Sequence, residues 1–192
     1  MLGLNVQAWG KKRPAPPRSL LAFVLAALLA TLSSAEAQSV SFGGERYSPW
    51  HQQTVNASHS YVELGRDGES LKGWTKLVTL HAFPEASDVA AAAGALARTV
   101  RQRDASTKMR LIANDATGEA MLDFLASKGE VAEFNVFKYA PAANGKGVVA
   151  VQFARRFRLG ELDAEDVKRL RERSINEMAG FNMGPARAAF AR

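Results

Sequence analysis

The chain has 192 residues, no cysteine, 25 Lys+Arg against 19 Asp+Glu, and a formal net charge of +6. Without cysteine there is no disulfide framework, no thiol chemistry and no lipobox anchor, so apolar burial must hold the fold together. Four of the basic residues and one acidic residue fall in the first 37 positions, which leaves +3 on the other 155 residues and removes the main support for a nucleic-acid binder.

The first feature in chain order is an apolar run of 13 residues, 20–32, behind Lys11, Lys12, Arg13 and Arg18. It falls short of the roughly 20 residues that span a hydrocarbon core of about 30 Å. Ala35-Glu36-Ala37 follows it, small residues flanking a middle one. This pattern is expected for a secretory signal peptide over residues 1–37, cleaved after Ala37. An uncleaved leader anchoring the protein to the inner membrane is the alternative. With cleavage, no stable membrane insertion is expected, and a cysteine-free exported chain fits the periplasm of a Gram-negative bacterium or a secreted fate.

Residues 38–60 mix Gly, Ser, Pro and polar side chains without a sustained period, which predicts a loosely ordered lead-in. A single α+β domain is expected over 61–182. "YVEL" predicts a strand at 61–64, Gly65 and Gly68 a turn, and "WTKLVTLHAF" a longer strand at 74–83. In that second strand Leu77, Thr79, His81 and Phe83 alternate with Trp74, Val78 and Leu80, so both faces are apolar enough for a central position.

Ser87 is the expected N-cap of a helix over 88–103, where Val89, Ala92, Ala93, Leu96 and Val100 recur at helical spacing. "MRLIAND" gives a short strand. Over 117–128 helix and strand patterns compete, and the strand is favoured because a meander follows. Two β-rich runs, 131–140 and 148–157, flank Asn144-Gly145 and predict a hairpin. One of its faces is apolar throughout. The other is apolar near the turn and polar away from it.

The last predicted helix covers 163–179, with Asp163 as N-cap, Asp166 at the third helical position and Leu162/Val167 as a staple. Its apolar stripe is Val167, Leu170, Ile175, Met178 and Phe181. Residues 183–192 read as a flexible tail. The fold class expected is therefore α+β, an antiparallel sheet of five or six strands covered by two main helices.

Chemistry is sparse. His51, His59 and His81 lack the i, i+4 spacing of a helical metal pair, no G-x-S-x-G elbow is present, and no glycine-rich loop follows a strand into a helix. No metal and no cofactor is expected. Two groupings remain. Glu63, Glu69, Trp74 and His81 gather around the early turn and the strand after it, and they also read as a solvated turn with Trp74 plugging the core. Glu133, Asn135, Gln152, Arg155, Arg156 and Arg158 lie on the hairpin, where they could hold an anionic or peptide ligand. The same set also reads as a cross-strand ladder of ion pairs.

The order of elements, with "GESLKGWTKLVTL" and "EFNVFKYAPAANGKGVVAVQFARRFRL", loosely resembles the Mog1/PsbP-like α/β/α sandwich. That resemblance implies a non-enzymatic binding or accessory role and carries no functional residue with it. The function expected is an exported, non-catalytic binding or accessory protein for a protein, peptide or small anionic ligand. Its rival is a small hydrolase or lyase using Glu63, Glu69, Glu133 and Arg156.

Overall fold

A computed structural model describes residues 38–191. The leader expected over 1–37 lies outside the described residues. Eight strands follow the chain as β1 (Val40–Phe42), β2 (Glu45–Asn56), β3 (His59–Gly65), β4 (Lys76–Phe83), β5 (Met109–Asn114), β6 (Glu119–Lys128), β7 (Val131–Pro141) and β8 (Val148–Arg158). The helices are α1 (Val89–Arg103), α2 (Ala164–Gly180) and α3 (Gly184–Ala189). One antiparallel sheet has the order β1-β2-β3-β4-β8-β7-β6-β5. Helix α1 carries the chain from β4 to the far edge, and β5 to β8 return as a meander until β8 pairs with β4.

The fold is α+β as expected, but with eight strands rather than five or six. The extra strands come from the segment expected to be a loose lead-in. Val40, Phe42 and Tyr47 are buried, and Gly43 and Gly44, with φ of 58° and 78°, close the β1–β2 turn. Most of β2 is exposed on both sides, so no period marks it. It is a strand because β3 supplies its hydrogen-bond partners, and a bulge at Pro49/His51 accommodates a proline that cannot donate to the ladder. Residues 119–128 are strand, as favoured.

Cross-strand partners in an antiparallel sheet share a face, so register assigns every side chain. On one face Val62, Leu64, Val78, Leu80, Val136, Val151 and Phe153 form the main core with Leu170 and Met178 of α2 and Ala186 of α3. Each large apolar side chain fully buried there contributes about 1.5–3 kcal/mol. On the other face α1 packs through Ala93 and Val100 against Ala120, Leu122, Phe137, Tyr139 and Ala150. Strand β4 is buried on both faces, as its pattern predicts.

Helix α2 carries the predicted capping box: Asp166 N donates to Asp163 Oδ1 at 2.7 Å, and Asp163 N donates back to Asp166 Oδ2 at 3.4 Å. At its other end Lys138, buried in β7, donates to the carbonyls of Ala179 and Phe181 at 3.0 and 3.1 Å and pairs with Glu119 at 3.2 Å. A strand lysine thus satisfies the orphan carbonyls and negative end of the helix.

Three local expectations are corrected. The N-cap of α1 is Asp88, whose Oδ1 accepts from Ala91 N at 2.6 Å, while Ser87 donates to the same carboxylate. Trp74 precedes β4 and packs with Leu77 and Ala154, the face opposite to the one alternation assigned it. The expected flexible tail forms α3, anchored by buried Met183 and Ala186.

Candidate functional site

Helix α1 covers this face mainly over β5, β6 and β7 and reaches the turn end of β8. Across the rest, register aligns Glu63 of β3 with Thr79 of β4, Thr79 with Gln152 of β8, and Gln152 with Phe137 of β7. Along the same face His81 pairs with Tyr61 and Ala150, and Glu133 pairs with Arg156.

Six side chains of this face, His59, His81, Gln152, Asn135, Glu133 and Arg156, join into one hydrogen-bonded line across four strands. His59 Nε2 lies 3.1 Å from His81 Nδ1, and His81 Nε2 lies 3.1 Å from Gln152 Oε1. Gln152 Nε2 donates to Asn135 Oδ1 at 2.6 Å, and Asn135 Nδ2 donates to Glu133 Oε1 at 3.1 Å. Glu133 Oε2 accepts from Arg156 Nε at 2.8 Å, and the guanidinium carbon of Arg156 sits 3.6 Å from the centroid of the Trp74 ring.

The line has a direction. Because the Gln152 amide nitrogen donates to Asn135, its oxygen must accept, so the proton on His81 is at Nε2. His81 Nδ1 is then an acceptor, and His59 donates to it through Nε2–H. Every donor from His59 onward points towards the Glu133 carboxylate, an alignment in which each bond polarises the next. Burial drives the His81 pKa down to about 4 and lowers that of His59, so both rings are neutral at pH 7.

The buried part of this line is satisfied by its own hydrogen bonds; the end that meets solvent is chemically available. Arg156 is held from behind by Glu133 through Nε and lies flat against Trp74, and among the described residues no acceptor bonds to its two Nη groups. That leaves the planar edge that pairs with a carboxylate in two parallel hydrogen bonds.

The structure brings together Glu133, Asn135, Gln152 and Arg156 from the hairpin grouping, and Trp74 and His81 from the turn grouping. The rest stand outside that line. Arg155 points to the opposite face, opposite Lys76 in the β4–β8 register. Arg158 is on the same face as Arg156, two residues further along β8, but is exposed at the strand end and takes no part in the line; its backbone N–H donates to Glu161. Glu69 belongs to the β3–β4 loop, accepting from Arg66 and from Thr75 Oγ1, both at 2.5 Å. Burial raises its pKa, but these hydrogen bonds outweigh that and hold it at about 2. Arg66 in turn bonds Glu45 of β2 at 2.9 Å, so the loop is pinned to the sheet by ion pairs.

Glu63 stands three strand positions from β7, about 14 Å at the usual strand spacing, and Glu133 is four residues further along that strand. The carboxylates suggested for a hydrolase or lyase therefore do not meet in one place. Neither the 390 Å³ nor the 550 Å³ cavity is lined by any of Glu63, Glu69, Glu133 or Arg156.

The sequence pattern assigned no role to His59 or Lys138. His59 and Tyr61 alternate with the right period, but only the β3–β4 register brings His59 to His81.

A family model matches residues 35–183. The chain belongs to that family, which is uncharacterised. The match covers the whole sheet, α1 and α2, and so includes both ends of the polar line. It shows no link to the Mog1/PsbP-like proteins. No curated protein matches the chain.

Proposed function

We propose that this family member works outside the cytosol, in the periplasm or secreted, as a non-catalytic binding or accessory protein whose ligand presents a carboxylate to Arg156. One observation carries the reading: a guanidinium immobilised by a carboxylate on one edge and an indole on its face, with its other edge unclaimed. Immobilising the side chain beforehand reduces the entropy lost when a ligand pairs with it. Trp50, half-buried beside Trp74, adds apolar surface near the same end, which suits a peptide better than a bare inorganic anion.

The location rests on the cationic, short apolar and small-residue pattern of residues 1–37. Cell fractionation with N-terminal sequencing tests it; recovery with the cytosolic fraction sinks this half. For binding, calorimetric titration should compare peptides with a free and an amidated C-terminus. Amidation and Arg156→Gln should each weaken binding about tenfold or more, as expected for a lost charge-assisted pair. Equal affinity of the free and amidated peptides rules out the carboxylate contact.

A further inference from the structure

The opposite face of the sheet carries a second, chemically different opening. A cleft of about 550 Å³ lies between the β1–β2 hairpin, the ends of β4 and β8, and α2. Its apolar wall contains Phe42, Phe153 and Leu170, with the Phe42 and Phe153 rings stacked at 4.4 Å. Its polar wall contains Lys76, Arg155 and Arg173 together with the acids Glu45 and Glu177 and the neutral Ser174 and Asn176.

The charges there are arranged unusually. Lys76 and Arg155 are directly opposed across β4 and β8, a like-charge pair that destabilises a sheet unless something offsets it. Lys76 has a partner, Glu45 at 2.7 Å, but that carboxylate is also taken by Arg66 and by the Tyr47 hydroxyl. The other acid of the cleft, Glu177, accepts the backbone N–H of Gly43 at 3.0 Å. Among the described residues neither Arg155 nor Arg173 forms an ion pair; Arg173 makes one weak bond at 3.4 Å to the carbonyl of Arg169. Two guanidinium groups therefore open onto one cleft with neither of its carboxylates paired to them, one from the sheet and one from the helix laid over it.

We propose that this cleft is a binding site for a phosphate monoester whose organic part is apolar, the phosphate bridging Arg155 and Arg173 and the organic group lying against Phe42 and Phe153. A dianion with three terminal acceptor oxygens matches two guanidinium forks approaching from different elements, and it offsets the Lys76–Arg155 repulsion. The cleft volume falls in the range of small-molecule sites, and an apolar wall of Phe42, Phe153 and Leu170 beside converging charged groups suits a ligand that is apolar at one end and ionic at the other. This site is independent of Arg156, which lies on the other face.

The test is calorimetric titration of the purified protein with phenyl phosphate and with inorganic phosphate. Phenyl phosphate should bind, and inorganic phosphate should bind at least about tenfold more weakly because it leaves the apolar wall unused. Arg155→Gln and Arg173→Gln should each lower phenyl phosphate affinity about tenfold or more. Arg173 is exposed on α2, so its replacement keeps the test open even if Arg155→Gln disturbs the sheet. Arg156→Gln should leave phenyl phosphate binding unchanged, which separates this proposal from the carboxylate site. Absence of binding at millimolar phenyl phosphate, equal affinity for inorganic phosphate, or indifference to Arg173→Gln would each overturn the assignment.

Discussion

Acidification from pH 7 to pH 5 should weaken the fold through His81. In the native protein burial holds this imidazole neutral, with a pKa of about 4, and its two nitrogens are committed to His59 and Gln152. In the unfolded chain the pKa returns to about 6.5. Between those values the unfolded state binds a proton that the native state refuses, so stability falls as pH falls from about 6.5 to about 4 and loses nothing more from this group below that. Applied to pH 7 and pH 5, the linkage relation gives a loss of about 2 kcal/mol. His59 is lowered too and adds to the loss with the same sign. Glu45 and Glu69 are held below the usual carboxylate range, so their protonation costs stability only at more acid pH. The assay is urea denaturation followed by tryptophan fluorescence at the two pH values, with NMR titration of the His81 ring alongside. In His81→Gln, which cannot take up the proton, the drop should shrink to the part owed to the other groups. A His81 ring titrating near pH 6.5 in the folded protein, or a His81→Gln drop equal to that of the unaltered protein, would refute the reasoning.

Lys138→Met should lower stability by roughly 3–5 kcal/mol, because Glu119 loses its buried partner and the last carbonyls of α2 lose their donor; the urea midpoint measures it. Tyr139→Phe should be neutral or slightly stabilising, within about 1 kcal/mol, since its buried hydroxyl has no partner in the structure, and a large loss would show that the hydroxyl is bonded. Gly147→Ala should destabilise by more than about 2 kcal/mol, read from thermal melts, because φ is +79° there and a Cβ would lie 2.7 Å from the Phe83 carbonyl.

Elements that make their own signal were readable without coordinates. The capping box and stripe of α2 are local, since a helix closes its hydrogen bonds within four residues. The β7–β8 hairpin is likewise local, its turn set by Asn144-Gly145 with Gly145 at φ +71°. Glu133, Asn135, Gln152 and Arg156 could be placed together because one turn fixes the register of both arms. Strand β2 could not be found this way. "ERYSPWHQQTVN" buries only Tyr47 and contains a proline, and its identity depends on β3 beside it. Alternation puts Trp74 on the wrong face because Trp74 lies two residues before the strand's start at Lys76, where the period of two no longer holds.

From sequence alone came an α+β body, two amphipathic helices and a polar patch on one hairpin face, because periodicity and turn chemistry act over a few residues. Tertiary structure decided what the polar residues are for. The β4–β8 crossover pairing joins segments some 70 positions apart, linking His81 to the hairpin amides, sending Arg155 and Arg156 to opposite faces, and placing Lys76 against Arg155 beneath α2. Side chains i and i+1 on a strand always diverge, but which wall each one meets depends on strands and helices that arrive from elsewhere in the chain.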